Sequence, residues 1–525
     1  MPVPYDQRRT FAIISHPDAG KTTLTEKLLV AGGAIHLAGT VKARGEARRA
    51  RSDWMKIEQE RGISVTSSVM TFEYKGLLFN LLDTPGHEDF SEDTYRTLTA
   101  VDSAVMVIDA ARGIETQTRK LFEVCRLRDI PITTFVNKVD REGRDPFETM
   151  DEIQEELQLD IAPRVWPIGM GGLFHGCYDL QTNVFMTSEN SASGACDTKI
   201  QCSGIDYPQL EARVPDDVLA LARENMELAA GGYDPFDLQS YREGHQTPVV
   251  FGSALRDYGI ESLLDIIAEH APPPRPSPAN SRTVEPGEKP VSGFVFKVQA
   301  NMDKNHRDRI AFLRLCSGQF KRGMKLRQVR TGKDVMVHSP IIFMAQDREI
   351  AEEAGAGDVI GIPNHGSIRV GDTFTEGEDI RFTGLPVFAP EILRRVHLKD
   401  MGRIKQLRQA LQDLSEEGLI QVFKPDVGTN WIVGAIGQLQ LDVVKDRAKN
   451  EYKVEIDFEP TSFSTARWLK TDNEKALNTF IRSNVSSVMT DRDGDPVYLA
   501  PSAWELKFKV DNNEEIEFLK TKELE

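Results

Sequence analysis

The feature that most limits what this chain can become is the run Ser15-His16-Pro17-Asp18-Ala19-Gly20-Lys21-Thr22-Thr23, set between two stretches of different periodicity. Before it, Phe11-Ala12-Ile13-Ile14 is an apolar run of strand length; after it, residues 22–30 carry apolar side chains at helical spacing. A strand that turns into a helix through a Gly-containing loop aims backbone N–H groups and a helix amino end at one point, which makes an anion cradle. Lys21 adds a positive charge suited to β- and γ-phosphates, and the Thr22 hydroxyl is a hard oxygen ligand suited to Mg2+. Ser15 stands where the usual G-x-x-x-x-G-K-[ST] pattern begins with glycine, and a G-K-T turn alone also suits an ordinary strand-to-helix junction.

Companion motifs narrow the choice. Apolar runs at 77–82, 103–108 and 132–136 alternate with helical patterns, which predicts a doubly wound, mostly parallel sheet with its ligand at the carboxyl ends of the strands. Asp83-Thr84-Pro85-Gly86-His87 falls at such an end. There Asp83 can hold Mg2+ through a water, and the Gly86 N–H can approach a γ-phosphate without a side chain in the way. Asn137-Lys138-Val139-Asp140 follows the strand-like run at 132–136. Its Asp140 carboxylate suits the two N–H donors of guanine, and Asn137 suits the N7/O6 side, a choice of GTP over ATP; as a short motif it also fits a loop turn. Ser253-Ala254-Leu255 supplies a turn whose N–H groups can meet the base O6. The four motifs in this order, each after a strand, point to a nucleotide switch.

Hydrolysis needs an oriented water, and His87 is the expected residue for that step, although a lone histidine is usually packed or on the surface. Arg61-Gly62-Ile63-Ser64 reads either as a loop that closes when Ser64 meets Mg2+ or as a solvated turn. The candidate catalytic residues are therefore His87 and Lys21, and the candidate Mg2+ ligands are Thr22, Ser64 and, through water, Asp83.

A length of 525 residues calls for several cores. We expect an α/β P-loop domain at 1–275 with an acidic insertion at about 141–252, and a β-barrel domain at 276–388. An α+β ferredoxin-like domain is expected at 389–525. The boundary near 275 rests on the stiff stretch Pro272-Pro273-Pro274-Arg275-Pro276-Ser277-Pro278. The sequence shows no internal repeat. No apolar run approaches the roughly 20 residues of a membrane span, and residues 1–9 lack a secretory signal pattern. Five scattered cysteines without C-x-x-C spacing argue against a disulfide frame or zinc site, so a reducing cytoplasm is expected. A net charge of −17 repels nucleic acid at long range, so RNA contact would need local basic patches. Arg394, Arg395, Lys399, Arg403, Lys405 and Arg408 form one such patch, or else a solvated helix face.

The ordered motifs, with D-T-P-G-H and E-R-G-I-S, resemble the translational GTPases. Ser15 to Thr23, Ser52-Asp53-Trp54-Met55, Arg61 to Ser68 (R-G-I-S-V-T-S-S) and Phe343-Met344-Ala345-Gln346-Asp347-Arg348-Glu349 are similar to the class II peptide-chain release factors, the bacterial release factor three family. Within that family Ser15 and Ser64 are the expected residues. The resemblance implies an elongation-factor-like barrel and a third domain like that of elongation factor G. It also implies a factor whose GTP form remodels the terminating ribosome and promotes departure of class I release factors. By the same analogy ribosomal RNA presses His87 into its active position, and Ile63 belongs to an apolar gate. Expected partners are the ribosome and class I release factors, with no membrane and no DNA, and the chain is expected to be a monomer. The chain holds no Gly-Gly-Gln triplet, so it is not expected to free the peptide itself, and a translocase's two further domains are not expected either. The competing readings are a translocation or rescue GTPase and a nucleotide-gated scaffold that scarcely hydrolyses GTP.

Overall fold

A computed structural model of the chain describes residues 3–34, 68–189, 194–206, 208–300, 309–343, 348–364, 366–425 and 431–524. The first region is built on β1 (Arg8–Ser15), α1 (Lys21–Ala31), β2 (Ser68–Tyr74), β3 (Leu77–Asp83), α2 (Ser91–Leu98), β4 (Ser103–Asp109), α3 (Thr116–Arg126) and β5 (Ile132–Asn137). It continues through α4 (Pro146–Leu157), β6 (Asp160–Ile168), β7 (Gly176–Asp179), β8 (Val184–Thr187), β9 (Thr198–Gln201), α5 (Asp216–Gly232), β10 (Gln246–Phe251) and α6 (Ile260–His270). These strands form one sheet in the order β2-β3-β1-β4-β5-β10-β6-β7-β8-β9. The pairs from β3 through β6 are parallel, while β2 and β7 to β9 run antiparallel at the edges. Strands β1, β4 and β5 are buried along their whole length, which is why they read as unbroken apolar runs. Strand β1 lies between β3 and β4, so strand order reverses beside it, and the crevice at its carboxyl end is where ligands of such sheets bind.

The stretch expected as an insertion is woven into this sheet. Its α4 buries Met150, Ile153 and Leu157 beneath an acidic outer face, and β10 pairs with β5 on one side and β6 on the other. What extends beyond the parallel core is the antiparallel run β7 to β9 with α5.

The next region is an eight-stranded antiparallel sheet centred on β11 (Ser292–Ala300), β12 (Arg309–Ser317), β13 (Val359–Pro363) and β14 (Thr373–Thr375). Its core, with Phe312 stacked on Phe343 at 4.9 Å, is continuous with that of the first region. Buried ion pairs cross the joint: Arg314 meets Asp102 at 2.6 Å and Arg8 meets Asp358 at 2.9 Å.

The last region holds β15 (Ile392–Leu398), α7 (Ile404–Glu416), β16 (Gln421–Phe423), β17 (Ile432–Ala435), α8 (Gln438–Tyr452) and β18 (Ile456–Pro460). It closes with β19 (Thr465–Lys470), α9 (Glu474–Ser483), β20 (Val488–Thr490), β21 (Pro496–Ala500), α10 (Ala503–Asp511) and β22 (Glu517–Leu519). The sheets are β16-β17-β15-β18 and β20-β21-β19-β22. Both are antiparallel and both arise from the same β-α-β-β-α-β order, so a ferredoxin-like unit occurs twice in succession without a visible sequence repeat.

Candidate active site

The loop between β1 and α1 is shaped by two left-handed residues, Asp18 at φ 65° and Gly20 at φ 101°. They fold the chain so that α1 starts at Lys21 with its amino end facing the crevice. A Cβ at Gly20 would lie 2.3 Å from Asn137 Nδ2, so this glycine answers both to its φ and to a close neighbour. The Lys21 ammonium, buried at the base of the loop, meets Asp83 Oδ1 at 2.5 Å. The expected phosphate-binding cation and the expected metal-side carboxylate thus pair directly. Thr84 joins the same floor, its hydroxyl donating to Ile13 O at 2.7 Å. Among the described residues the buried Ser15 hydroxyl and His16 Nδ1 have no hydrogen-bond partner, polar atoms of the kind a bound anion satisfies.

Asn137 ties three of the four motifs together. Its Nδ2 donates to Ala19 O at 2.8 Å, and its Oδ1 accepts from Lys138 N at 2.9 Å and Ala254 N at 2.8 Å. With one of its two Nδ2 hydrogens and its Oδ1, Asn137 clasps the phosphate loop to the Ser253-Ala254-Leu255 turn, a fastening role that the sequence did not suggest. The Ala254 N–H is spent in the same clasp, and the Ser253 N–H donates to Tyr258 O at 3.1 Å. Lys138, at φ 72°, reaches back over the loop to Asp18 O at 2.5 Å and Asp109 Oδ2 at 2.6 Å. Burial raises the Asp109 pKa, but Lys138, the Ala111 N–H and Arg112 outweigh it and hold the carboxyl below its ordinary value. Asp140 is buried beside this clasp, and Arg256 Nε lies 3.2 Å from its Oδ2. Sequence reasoning missed Asp109 and Arg256. The first ends a buried strand at the site's edge of the sheet, which was its one visible signal; the second follows a short motif and gave none.

Beyond Asp83, the Pro85-Gly86 turn faces the phosphate loop: a Cβ placed on Gly86 would lie 3.8 Å from Pro17 Cα and 3.9 Å from Lys21 Cε. His87 then caps the short turn Glu88–Phe90: its Nδ1 accepts the Asp89 N–H at 3.2 Å, which leaves the proton of the neutral ring on Nε2. The ring is about one-third exposed and stands edge-on to Phe90 at 6.4 Å. The following helix α2 reaches both of the other regions. Asp93 meets Lys297 at 3.2 Å, Tyr95 packs edge-on against Phe388 at 5.1 Å, and Arg96 donates to Gly418 O at 3.0 Å. Glu92, buried in this joint with Arg96 at 3.8 Å, has its pKa raised, first by desolvation.

Arg61, Gly62, Ile63, Ser64, the 52–55 segment and residues 344–347 lie outside the described residues. Half of the expected basic patch is matched by acids and rings: Lys399 pairs with Asp457 at 3.1 Å, Arg403 with Asp400 at 3.3 Å, and Arg408 lies over the Trp431 ring. Among the described residues no three His, Cys, Asp or Glu side chains gather into a metal cluster, and no helix is long and apolar enough to cross a membrane. A cation beside Thr22 and Asp83 would find hard oxygen donors there and would take the rest of its shell from phosphate oxygens and water, a set that fits Mg2+.

Comparison with known proteins agrees with this arrangement. Residues 6–273, just over half of the chain, match the elongation factor Tu GTP binding domain. Residues 290–377 match elongation factor G domain 2, and residues 382–509 match the class II release factor RF3, C-terminal domain. A protein of known crystal structure from Thermus thermophilus superposes with a TM-score of 0.69 at 25% identity, over 88% of this chain and 69% of that one. With a phosphate loop clasped to its companion motifs and three family matches in chain order, this chain belongs to the GTP-hydrolysing translation factors, in the branch marked by the RF3 C-terminal domain.

Proposed function

We propose that this protein is a ribosome-stimulated GTPase of translation termination, whose GTP form promotes dissociation of class I release factors after the peptide has been released. The observation that carries this reading is the match of residues 382–509 to the class II release factor C-terminal domain, behind a GTPase domain and an elongation factor G-type second domain. The parts are read as 1–275, 276–388 and 389–525, acting as a monomer in the cytoplasm.

In this reading the loop 15–23 cradles the phosphates with backbone N–H groups and the amino end of α1, and Lys21 exchanges Asp83 for phosphate oxygens. Thr22, Ser64 and a water on Asp83 hold Mg2+, which when bound neutralises phosphate charge. Asp140 takes the guanine N–H donors and Lys138 lies along the base, while Asn137 keeps the loops in register. His87 orients the attacking water from Nε2. Since its turn leads directly into α2, which contacts both of the other regions, domain movement on the ribosome reaches the hydrolytic residue over a short path.

The test is GTP turnover by wild-type and His87→Ala protein, with and without ribosomes, beside release of a labelled class I factor from terminated complexes. We expect stimulation by ribosomes, a loss of about a hundredfold or more in the variant, the size of effect that follows removal of one group stabilising a transition state, and GTP-dependent factor departure. Stimulation without departure would keep the GTPase and rule out the termination role.

A further inference from the structure

Helix α8, in the region matched to the release-factor C-terminal domain, has no cap of its own. It starts after Gly437, which has no side chain with which to accept the first N–H groups. A residue from the first region does so instead: Asp89 Oδ2 accepts the Leu439 N–H at 2.6 Å. Asp89 is 8% exposed, and its carboxylate lies so close that a Cβ on Gly437 would fall 2.0 Å from Asp89 Cγ. Gly437 has φ −146°, an extended conformation open to any residue, so the approach of Asp89 and not backbone freedom excludes a side chain there. Phe90, Leu439 and Val443 close around the contact as a small apolar cluster. On its other side Asp89 belongs to the His87 turn: its N–H goes to His87 Nδ1, and its Oδ1 lies 3.4 Å from that nitrogen.

We propose that Asp89 is a positioning residue for His87, and that the hydrolytic site is incomplete without the amino end of α8, which fixes Asp89 from the C-terminal region. A carboxylate at a helix amino end is held both by the N–H and by the helix dipole, so the anchor is directional. Asp89 spends its backbone N–H on His87 and its carboxylate on α8. A displacement of α8 therefore moves the anchor of the turn whose first residue is His87. The inference rests on His87 serving hydrolysis as set out above.

The experiment is a double-mutant cycle in the full chain with saturating ribosomes, reading kcat, KM for GTP, GDP affinity and melting temperature for wild type, Asp89→Ala, Gly437→Ala and the double variant. Gly437→Ala is expected to lower kcat about tenfold or more while KM and GDP affinity stay within twofold, although residue 437 belongs to the region matched to the release-factor C-terminal domain and not to the nucleotide-binding motifs. In the double variant the added methyl no longer meets a carboxylate, so its kcat should equal that of Asp89→Ala alone. Asp89→Asn keeps the acceptor and the shape, and should recover most of the turnover lost in Asp89→Ala. Wild-type kcat in Gly437→Ala at unchanged melting temperature, losses that multiply in the double variant, or no recovery in Asp89→Asn would each overturn the proposal. If wild-type turnover does not respond to ribosomes, the functional reading beneath it has failed instead.

Discussion

Replacing Gly20 with alanine tests whether the conformation of the phosphate loop carries nucleotide affinity. Two costs follow from the geometry. A left-handed φ of 101° costs a non-glycine residue about 1–2 kcal/mol. The new Cβ, 2.3 Å from Asn137 Nδ2, also forces that amide away from Ala19 O, a net loss of about 1 kcal/mol for one neutral hydrogen bond. Together these come to about 2–3 kcal/mol, and if the loop must hold this shape to bind, affinity for GDP should fall roughly 30- to 150-fold, since about 1.4 kcal/mol is a factor of ten. Titration with a fluorescent GDP analogue reads this directly, with a melting curve of the nucleotide-free protein beside it. Affinity within threefold of wild type would refute the reasoning, because the loop would then have a second conformation that binds as well.

Two further outcomes rest on other parts of the fold. Asp102→Ala leaves the buried Arg314 guanidinium without its carboxylate, and removing one partner of a buried pair typically costs about 3–5 kcal/mol; thermal unfolding should show a much smaller loss for Asp102→Ala combined with Arg314→Met, and equal losses would refute the account. His270 is pushed down to about 4 from an ordinary 6.5, first by burial and then by repulsion from Arg164 and Arg242, while the Glu269 carboxylate 4.0 Å away is more than half exposed and does not offset this. The folded state then binds the proton less readily than the unfolded one, so this contribution to stability is full above pH 6.5 and is lost as pH falls towards 4. The melting temperature of wild type should drop more steeply across that window than that of His270→Gln, and parallel curves would remove the effect.

The parallel core was legible because strands buried on both faces must be apolar throughout, as 103–108 and 132–136 are. Strand β6 was not, since Asp160–Ile168 carries Pro163 and Pro167, residues that usually argue against a sheet interior. The structure accommodates them with a shift of register against β10 between Val249 and Val250, after which Val250 faces Val165. That accommodation turned an expected insertion into part of the sheet. The duplicated C-terminal unit was hidden for a different reason. Its topology is set by which faces are covered, and the two copies cover theirs unequally: α8 buries Leu439, Leu441, Val443, Val444 and Ala448, whereas α10 buries no residue and leaves Trp504 exposed. Equivalent helices with such different burial share no apolar pattern that a sequence comparison could find.

At the site, the motifs marked residues that belong together but not how they divide the work. A motif read alone assigns each polar side chain to the ligand, since nothing else is in view. In the folded chain the same side chains must first satisfy one another, because buried donors and acceptors cannot be left open without cost. Asn137 accordingly serves Ala19, Lys138 and Ala254, and Lys138 serves Asp18 and Asp109. Asp89 is the extreme case. Its partner Leu439 is 350 residues away, so its position after D-T-P-G-H-E gives no hint of the helix it caps. The residues around a phosphate loop are thus partly ligands and partly fasteners, and only the second kind explains how regions far along the chain can act on the first.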